Sequence, residues 1–219
     1  MNSNFAQILF FLEAMIFSAV IFMHLSKKSS SVVNLYMLQS LAISVLLFSS
    51  ILEKPSFLLI FAVGITFVVK TIVAPHFFHK LISKNHIRFS ASTYLNAPLT
   101  LIVVAVLTAF SYSHLFHPLT VIFSQNANAI LLAVATMLSS IFLLINRKGA
   151  MSQAIGILSL ENAIVSFTFL AGLEQSPALQ LGIIFDILAW IFIAGTVAMM
   201  IFRHIDSFDV SSMKHLKED

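Results

Sequence analysis

Long apolar segments, each about the length of a membrane-spanning helix, alternate with short polar connections along the whole chain. A helix of about 20 apolar residues crosses the hydrocarbon core of a bilayer. Only 10% of the 219 residues are charged, whereas a water-soluble domain carries about a quarter to cover its surface. We therefore predict an all-α integral membrane protein of about seven transmembrane helices, at residues 4–25, 31–52, 56–79, 95–112, 126–145, 150–172 and 178–203.

The positions of Lys and Arg predict how these helices are oriented. Cytoplasmic connections of membrane proteins carry an excess of both residues. If the N-terminus lies outside, ten of the twelve fall in cytoplasmic connections or the tail, while Lys54 lies in an outer connection and Lys70 within a helix. We therefore predict an outside N-terminus and a cytoplasmic C-terminus, with residues 204–219 as a cytoplasmic tail. Because topology explains the net charge of +3, nucleic acid is not an expected partner.

Four ionisable side chains lie inside predicted helices, where burying a charge costs at least about 2.5–3.5 kcal/mol on insertion scales. Counted at about 1.5 Å per residue from the outer helix ends, they lie about 12–21 Å deep: Glu13, Lys70, Glu161 and Asp186. Ionisable groups at such depth indicate function by default. We predict that Lys70, Glu161 and Asp186 form a mid-membrane proton path. The alternative is that the buried charges only lock helices together.

A proline follows Lys70 by five residues. Pro75 cannot donate a backbone hydrogen bond, and its ring clashes with the preceding turn of an α-helix. We therefore predict a kinked, broken helix whose freed carbonyl groups hold water or the Lys70 ammonium group. His76 lies just beyond the proline, and we assign it a supporting polar role on the cytoplasmic side.

The two predicted acids of the path lie in the last two helices. Asp186 shares a helix face with Gly182 and Trp190. Glu161 projects from the side opposite a stripe of small residues that suits close helix contact, which is Ser152, Gly156, Ser159 and Ala163. The small-residue stripe and Glu161 together predict that this helix has protein or water on both sides.

Three further polar residues lie inside predicted helices. Gln39 and Asn162 are amides, for which a hydrogen bond between helices is the simpler interpretation and support of the path the other. Glu13 has only apolar neighbours at helical spacing. It is either a protonated acid, a contact to a partner subunit or a supporting member of the path.

Sequence motifs of enzymes are not found. The chain has no Gly-rich phosphate loop, no H-E-x-x-H motif and no plausible Ser–His–Asp arrangement. His114 and His117 have no further ligand at a metal-binding spacing. We therefore expect no active site, metal or cofactor in this chain, and whether it belongs to an enzyme depends on its partners.

Several segments, in this order, resemble hydrogenase-4 component E, a membrane subunit of formate hydrogenlyase-type and other group 4 hydrogenase complexes. They are Tyr36-x-x-Gln39-Ser40-Leu41, Lys70 to Pro75, Asn146-Arg147, Leu160-Glu161-Asn162, Leu181-Gly182-Ile183 before Asp186, and Phe208-Asp209-Val210. The resemblance implies a non-catalytic subunit of an energy-converting oxidoreductase complex in the bacterial plasma (inner) membrane. It also implies antiporter-like membrane subunits and a hydrogenase-type peripheral module as partners.

Residues 126–203 are also similar to the K subunit of respiratory complex I and the C subunit of multi-subunit cation/proton antiporters. That similarity implies a three-helix unit, preceded by a four-helix region at 1–125, and a buried acid of the proton axis in each of its last two helices. Glu161 lies about one turn beyond the family's glutamate, and Asp186 is Asp where the family has Glu. The alternatives are a sodium/proton antiporter-type module without a hydrogenase, and a purely structural membrane scaffold.

Overall fold

The computed structural model describes residues 3–53, 57–84, 92–172 and residue 195. Asp186, most of the predicted seventh helix and the tail lie outside the described residues. The described chain forms eight α-helices: α1 (Ser3–Leu25), α2 (Ser29–Glu53), α3 (Phe57–Phe67), α4 (Ala74–Lys84), α5 (Ala97–Ser111), α6 (His117–Ile122), α7 (Ala127–Asn146) and α8 (Ala150–Leu170). A π-helical turn, Val68–Val73, joins α3 to α4.

Among the described residues, five helical segments are long and apolar enough to cross a membrane: Phe5–Leu25, Ser29–Ser49, Leu59–Ser83, Ser124–Asn146 and Met151–Leu170. Their surfaces carry large apolar side chains, such as Phe11 and Ile145, that are more than half exposed and so suit contact with lipid. The chain is thus an α-helical, multi-pass membrane protein, as predicted. The count of seven helices and the outside N-terminus stay predictions.

The predicted fourth helix, 95–112, corresponds to α5. Asn96 caps its start by accepting a hydrogen bond from the Leu99 amide (3.0 Å), and the helix ends at Ser111 after 15 residues. At 1.5 Å per residue it covers only about 22 Å. The chain then bends by 44° into α6, which begins at His117–Pro118, because proline suits the first turn of a helix.

Contacts at the two ends of α7 indicate how far the bent pair α5–α6 reaches. The Leu95 amide donates to the Asn146 side chain at the end of α7 (2.9 Å), whereas Asn126, just before α7, donates to the Leu170 carbonyl (3.2 Å). Since α7 has 20 residues, its ends are about 30 Å apart. The pair α5–α6 therefore runs the length of α7, which is consistent with a sixth span.

The predicted break at Pro75 is a widened turn instead. The Ala74 amide donates to the Val69 carbonyl, five residues back, and α3, the π-helical turn and α4 continue as one span, Leu59–Ser83. A π-helical turn accommodates the proline because the extra residue relieves the clash with the preceding carbonyl. The prediction of a broken helix was therefore wrong, although regular α-helical hydrogen bonding is interrupted at Val68–Val73, just before the proline.

Helices α1, α2, α7 and α8 form the centre of the bundle, with α3–α4 against α2 and α5 against α7. The small-residue stripe of α8 faces α7, as predicted for close contact. A Cβ atom on Gly156 would lie 3.1 Å from the Leu144 backbone, and the Ser159 hydroxyl lies 3.1 Å from that of Ser140. Residue 195 of the predicted seventh helix lies against Phe77 of α4.

Candidate buried proton site

Lys70 lies in the π-helical turn, and its side chain is fully buried. Its ammonium nitrogen is 3.0 Å from Oε1 of Glu161 and donates a hydrogen bond of 3.0 Å to Oδ1 of Asn162. Both partners are on α8. The Glu161 side chain is 24% exposed, against 1% for Lys70, so the carboxylate is the member of the pair that other groups can reach.

A second layer of polar contacts joins this pair to α2. The Asn162 amide nitrogen donates to the Ser40 hydroxyl (3.1 Å) and to the Gln39 carbonyl oxygen (3.3 Å). All three side chains are fully buried. Asn162 therefore accepts from Lys70 on one side and donates to α2 on the other, which fixes the orientation of its amide group.

One buried donor on the same part of α2, the Gln39 amide nitrogen, lacks a hydrogen-bond partner among the described residues. A buried donor without a partner costs about 1–3 kcal/mol, and native proteins usually satisfy such a group with protein or with an ordered water molecule. The polar cluster around Asn162 thus has unused hydrogen-bonding capacity in mid-membrane.

Glu13 has a separate set of contacts at the interface of α1 with α7 and α8. Its side chain is fully buried. The Thr136 hydroxyl lies 2.9 Å from Oε1, and the Ser166 hydroxyl donates to Oε2. Within the described ranges no basic side chain pairs with this carboxyl group.

The predicted site residues are therefore distributed over three places. Lys70, Glu161, Asn162 and Gln39 lie together in one buried cluster, and Glu13 lies in its own hydroxyl pocket. His76 is exposed on α4 and lies outside the buried cluster. Asp186 lies outside the described residues. Whether any of these residues carries a proton in function stays a prediction.

Sequence reasoning missed the hydroxyl groups that complete both polar clusters. Thr136 and Ser166 are 123 and 153 residues from Glu13 along the chain, so no local spacing could pair them. A weaker signal was present on α8 itself, because Ser159, Asn162 and Ser166 recur at intervals of three and four residues and therefore share one helix face.

Arg147 was interpreted from sequence as a cytoplasmic charge and as part of a resembling segment, but its side chain is fully buried. Its guanidinium group donates to the carbonyl groups of Ser26 (3.0 Å) and Met23 at the end of α1. Burial lowers the pKa of Arg147 to about 10, so the group stays protonated at neutral pH. Its position is typical of a cation that caps a helix C-terminus.

Comparison of the chain with protein-family models, with curated proteins and with solved structures finds no match in any of the three. The resemblance to hydrogenase-4 component E therefore stays a prediction from the quoted motifs. Within the described ranges, no group of three or more His, Asp or Glu side chains is arranged to hold a metal ion. The buried polar contacts are thus the basis for any statement about function.

Proposed function

We propose that this chain is a non-catalytic membrane subunit that conducts protons within an energy-converting complex, with Lys70 and Glu161 as an exchanging pair. One observation carries the proposal, which is the 3.0 Å contact between the fully buried Lys70 ammonium group and the Glu161 carboxylate. A proton that moves from the Lys70 nitrogen to the Glu161 oxygen converts an ion pair into two neutral groups. A proton can therefore move between the two members of the pair without leaving a net charge in the membrane.

The depth of the pair supports this role. Lys70 is eleven residues after Leu59 and thirteen before Ser83, the ends of its span, and so lies about 16–20 Å from either end. Buried ion pairs add little stability, because desolvation offsets the attraction between the charges. An ionisable pair kept at this depth is therefore better explained by function than by stability alone.

The wider assignment rests on the resemblance to hydrogenase-4 component E. On that basis the subunit belongs to a group 4 hydrogenase-like, complex I-related assembly in the bacterial plasma membrane. Its neighbours would be antiporter-like subunits and a cytoplasmic hydrogenase-type module, and its N-terminus would lie outside. Asp186 would be the next acid of the path.

The test is proton pumping by inverted membrane vesicles that contain the assembled complex, followed with a pH-sensitive dye. Lys70→Met and Glu161→Gln keep side-chain length and remove the exchangeable charge. We expect each to assemble normally and to pump about tenfold or more slowly, a loss typical of a missing proton-transfer group. Lys80→Met is the matched control, because Lys80 is an exposed lysine on the adjoining α4, and it should pump normally.

Three results would contradict the proposal. Full pumping by both variants would exclude the pair from the path. Loss of assembly in each single variant and also in the double variant Lys70→Met/Glu161→Gln would identify the pair as a structural lock. Sodium-dependent recovery of the dye signal, with no hydrogenase-type protein co-purifying in mild detergent, would instead identify an antiporter-type module.

A further inference from the structure

Glu13 is a second fully buried carboxyl group, and its surroundings differ from those of Glu161. Its two oxygens contact hydroxyl groups from α7 and α8, whereas Glu161 faces the Lys70 ammonium group. Within the described ranges nothing positive compensates an ionised Glu13. An ionised group without a counter-charge in the membrane core costs several kcal/mol, which favours the neutral carboxylic acid.

The hydrogen-bond pattern around Glu13 also indicates a neutral carboxylic acid. The Thr136 oxygen lies 2.9 Å from Glu13 Oε1 and 2.8 Å from the Leu132 carbonyl oxygen. A hydroxyl has one proton to donate, and a carbonyl oxygen can only accept. Thr136 therefore satisfies both contacts only if it donates to Leu132 and accepts from Glu13.

With one proton on Oε1 of Glu13, every hydrogen bond around this carboxyl group has one donor and one acceptor. Oε1–H then donates to Thr136, Thr136 donates to Leu132, and Oε2 accepts from the Ser166 hydroxyl. An ionised Glu13 would instead compete with the Leu132 carbonyl for the single proton of Thr136. The pocket is thus built to hold a carboxylic acid with its proton in place.

One face of α8 connects the hydroxyl pocket of Glu13 to the buried cluster that contains Lys70, Glu161, Asn162 and Gln39. Ser166 contacts Glu13, and Asn162, one turn earlier, contacts Lys70. Both side chains are fully buried. The rise from Asn162 to Ser166 is about 6 Å, a distance that one water molecule spans with two hydrogen bonds of about 2.8 Å.

We propose that Glu13 is a second proton-holding residue, which exchanges its proton with Glu161 along the buried Ser166–Asn162 face of α8. In this step the O–H bond of the Glu13 carboxylic acid breaks, and an O–H bond forms on the Glu161 carboxylate. For this step the Glu13 carboxyl group turns so that its O–H donates to Ser166, and the Ser166 hydroxyl donates to one bridging water molecule. That water, oriented by Asn162, donates to Glu161. Lys70 stays protonated, and the summed charge of Glu13, Glu161 and Lys70 is unchanged by the step. The exchange rests on the proposed function of the Lys70–Glu161 pair, whereas the neutral state of Glu13 does not.

Infrared spectroscopy tests the neutral state without reference to pumping. Spectra of the purified full-length chain in lipid bilayers at neutral pH should contain the C=O stretching band of a buried protonated carboxylic acid. Glu13→Gln should remove that band, because an amide has no such band, whereas Glu161→Gln should retain it. Glutamine can donate to Thr136 and accept from Ser166, so the variant should fold. A band that persists in Glu13→Gln would overturn the inference.

Pumping by the assembled complex tests the exchange. Glu13→Gln and Ser166→Ala should slow pumping about tenfold or more. Ser140→Ala is the matched control, because Ser140 is an equally buried serine that contacts Ser159 and not Glu13, and it should pump normally. Normal pumping by Glu13→Gln and Ser166→Ala, with slow pumping by Lys70→Met, would overturn the exchange and leave the proposed function intact. Normal pumping by Lys70→Met and Glu161→Gln would overturn both the exchange and the proposed function.

Discussion

Lys70 lies in the middle of a 25-residue apolar span, and each of its described polar contacts comes from α8. The π-helical turn adds one residue to the turn that carries it and so changes the direction of the side chain relative to a regular α-helix. Asn162 is the residue on which this arrangement depends most. It joins the Lys70 ammonium group to the Gln39 and Ser40 side chains of α2.

Asn162→Leu should destabilise the protein by about 3 kcal/mol, because it leaves several buried polar groups without partners. The expected result is a lower midpoint of thermal unfolding for the purified chain in detergent. Ile164→Leu is the matched control, since Ile164 is 42% exposed on the same helix, and it should unfold like the natural protein. Equal midpoints for the two variants would show that Asn162 is dispensable for the fold.

At the scale of the elements, Arg147 connects the end of α1 to the connection between α7 and α8. Its guanidinium group donates to the Ser26 and Met23 carbonyl groups, which a helix C-terminus otherwise leaves without partners. Next to it, the Tyr94 amide donates to the Asn146 carbonyl (2.9 Å) and the Lys148 amide to the Ser92 carbonyl (3.2 Å). Three connections are thus held together at one end of the bundle.

Arg147→Ala should therefore destabilise the protein by about 2–4 kcal/mol, through lost charge-assisted hydrogen bonds at a buried helix end. Arg147→Lys should recover only part of the lost stability, because an ammonium group lacks the planar fork that reaches two carbonyl groups at once. The amount of folded protein in membranes and its unfolding temperature measure both effects. Lys148→Ala serves as the control and should be close to neutral. The same loss in Lys148→Ala as in Arg147→Ala would attribute the effect to positive charge in general.

At the scale of the whole molecule, the sequence was informative where the bilayer imposes the structure. Hydrocarbon requires long apolar helices with internally paired backbones, so the spans near 4–25, 31–52 and 150–172 were predictable. The end of the fourth helix near residue 112 was predicted as well, whereas α6 was not, because a helix of six residues is too short to show a helical period. Glu13, with only apolar neighbours on its own helix, gave no sign of Thr136 and Ser166, since contacts between distant segments leave no local pattern.

The contacts at the two bundle ends allow a test of the predicted orientation. The end of α1, the segment before α5 and the α7–α8 connection lie together, and the sequence places all three in the cytoplasm. The chain contains no Cys, so single cysteines can be labelled with a membrane-impermeant maleimide without background from other positions. Two exposed residues at opposite ends, Lys28 and Gln125, are suitable sites.

In intact cells, Gln125→Cys should react with the reagent, whereas Lys28→Cys should react only after the membrane is permeabilised. The reason is the excess of Lys and Arg in the connections at the Lys28 end, which retains that end in the cytoplasm. Lys148→Cys, in the α7–α8 connection, should behave like Lys28→Cys and serves as the second marker of that side. The opposite labelling pattern would place the N-terminus inside. Protection of both Gln125→Cys and Lys28→Cys would contradict the bundle itself, in which these two residues lie at opposite ends.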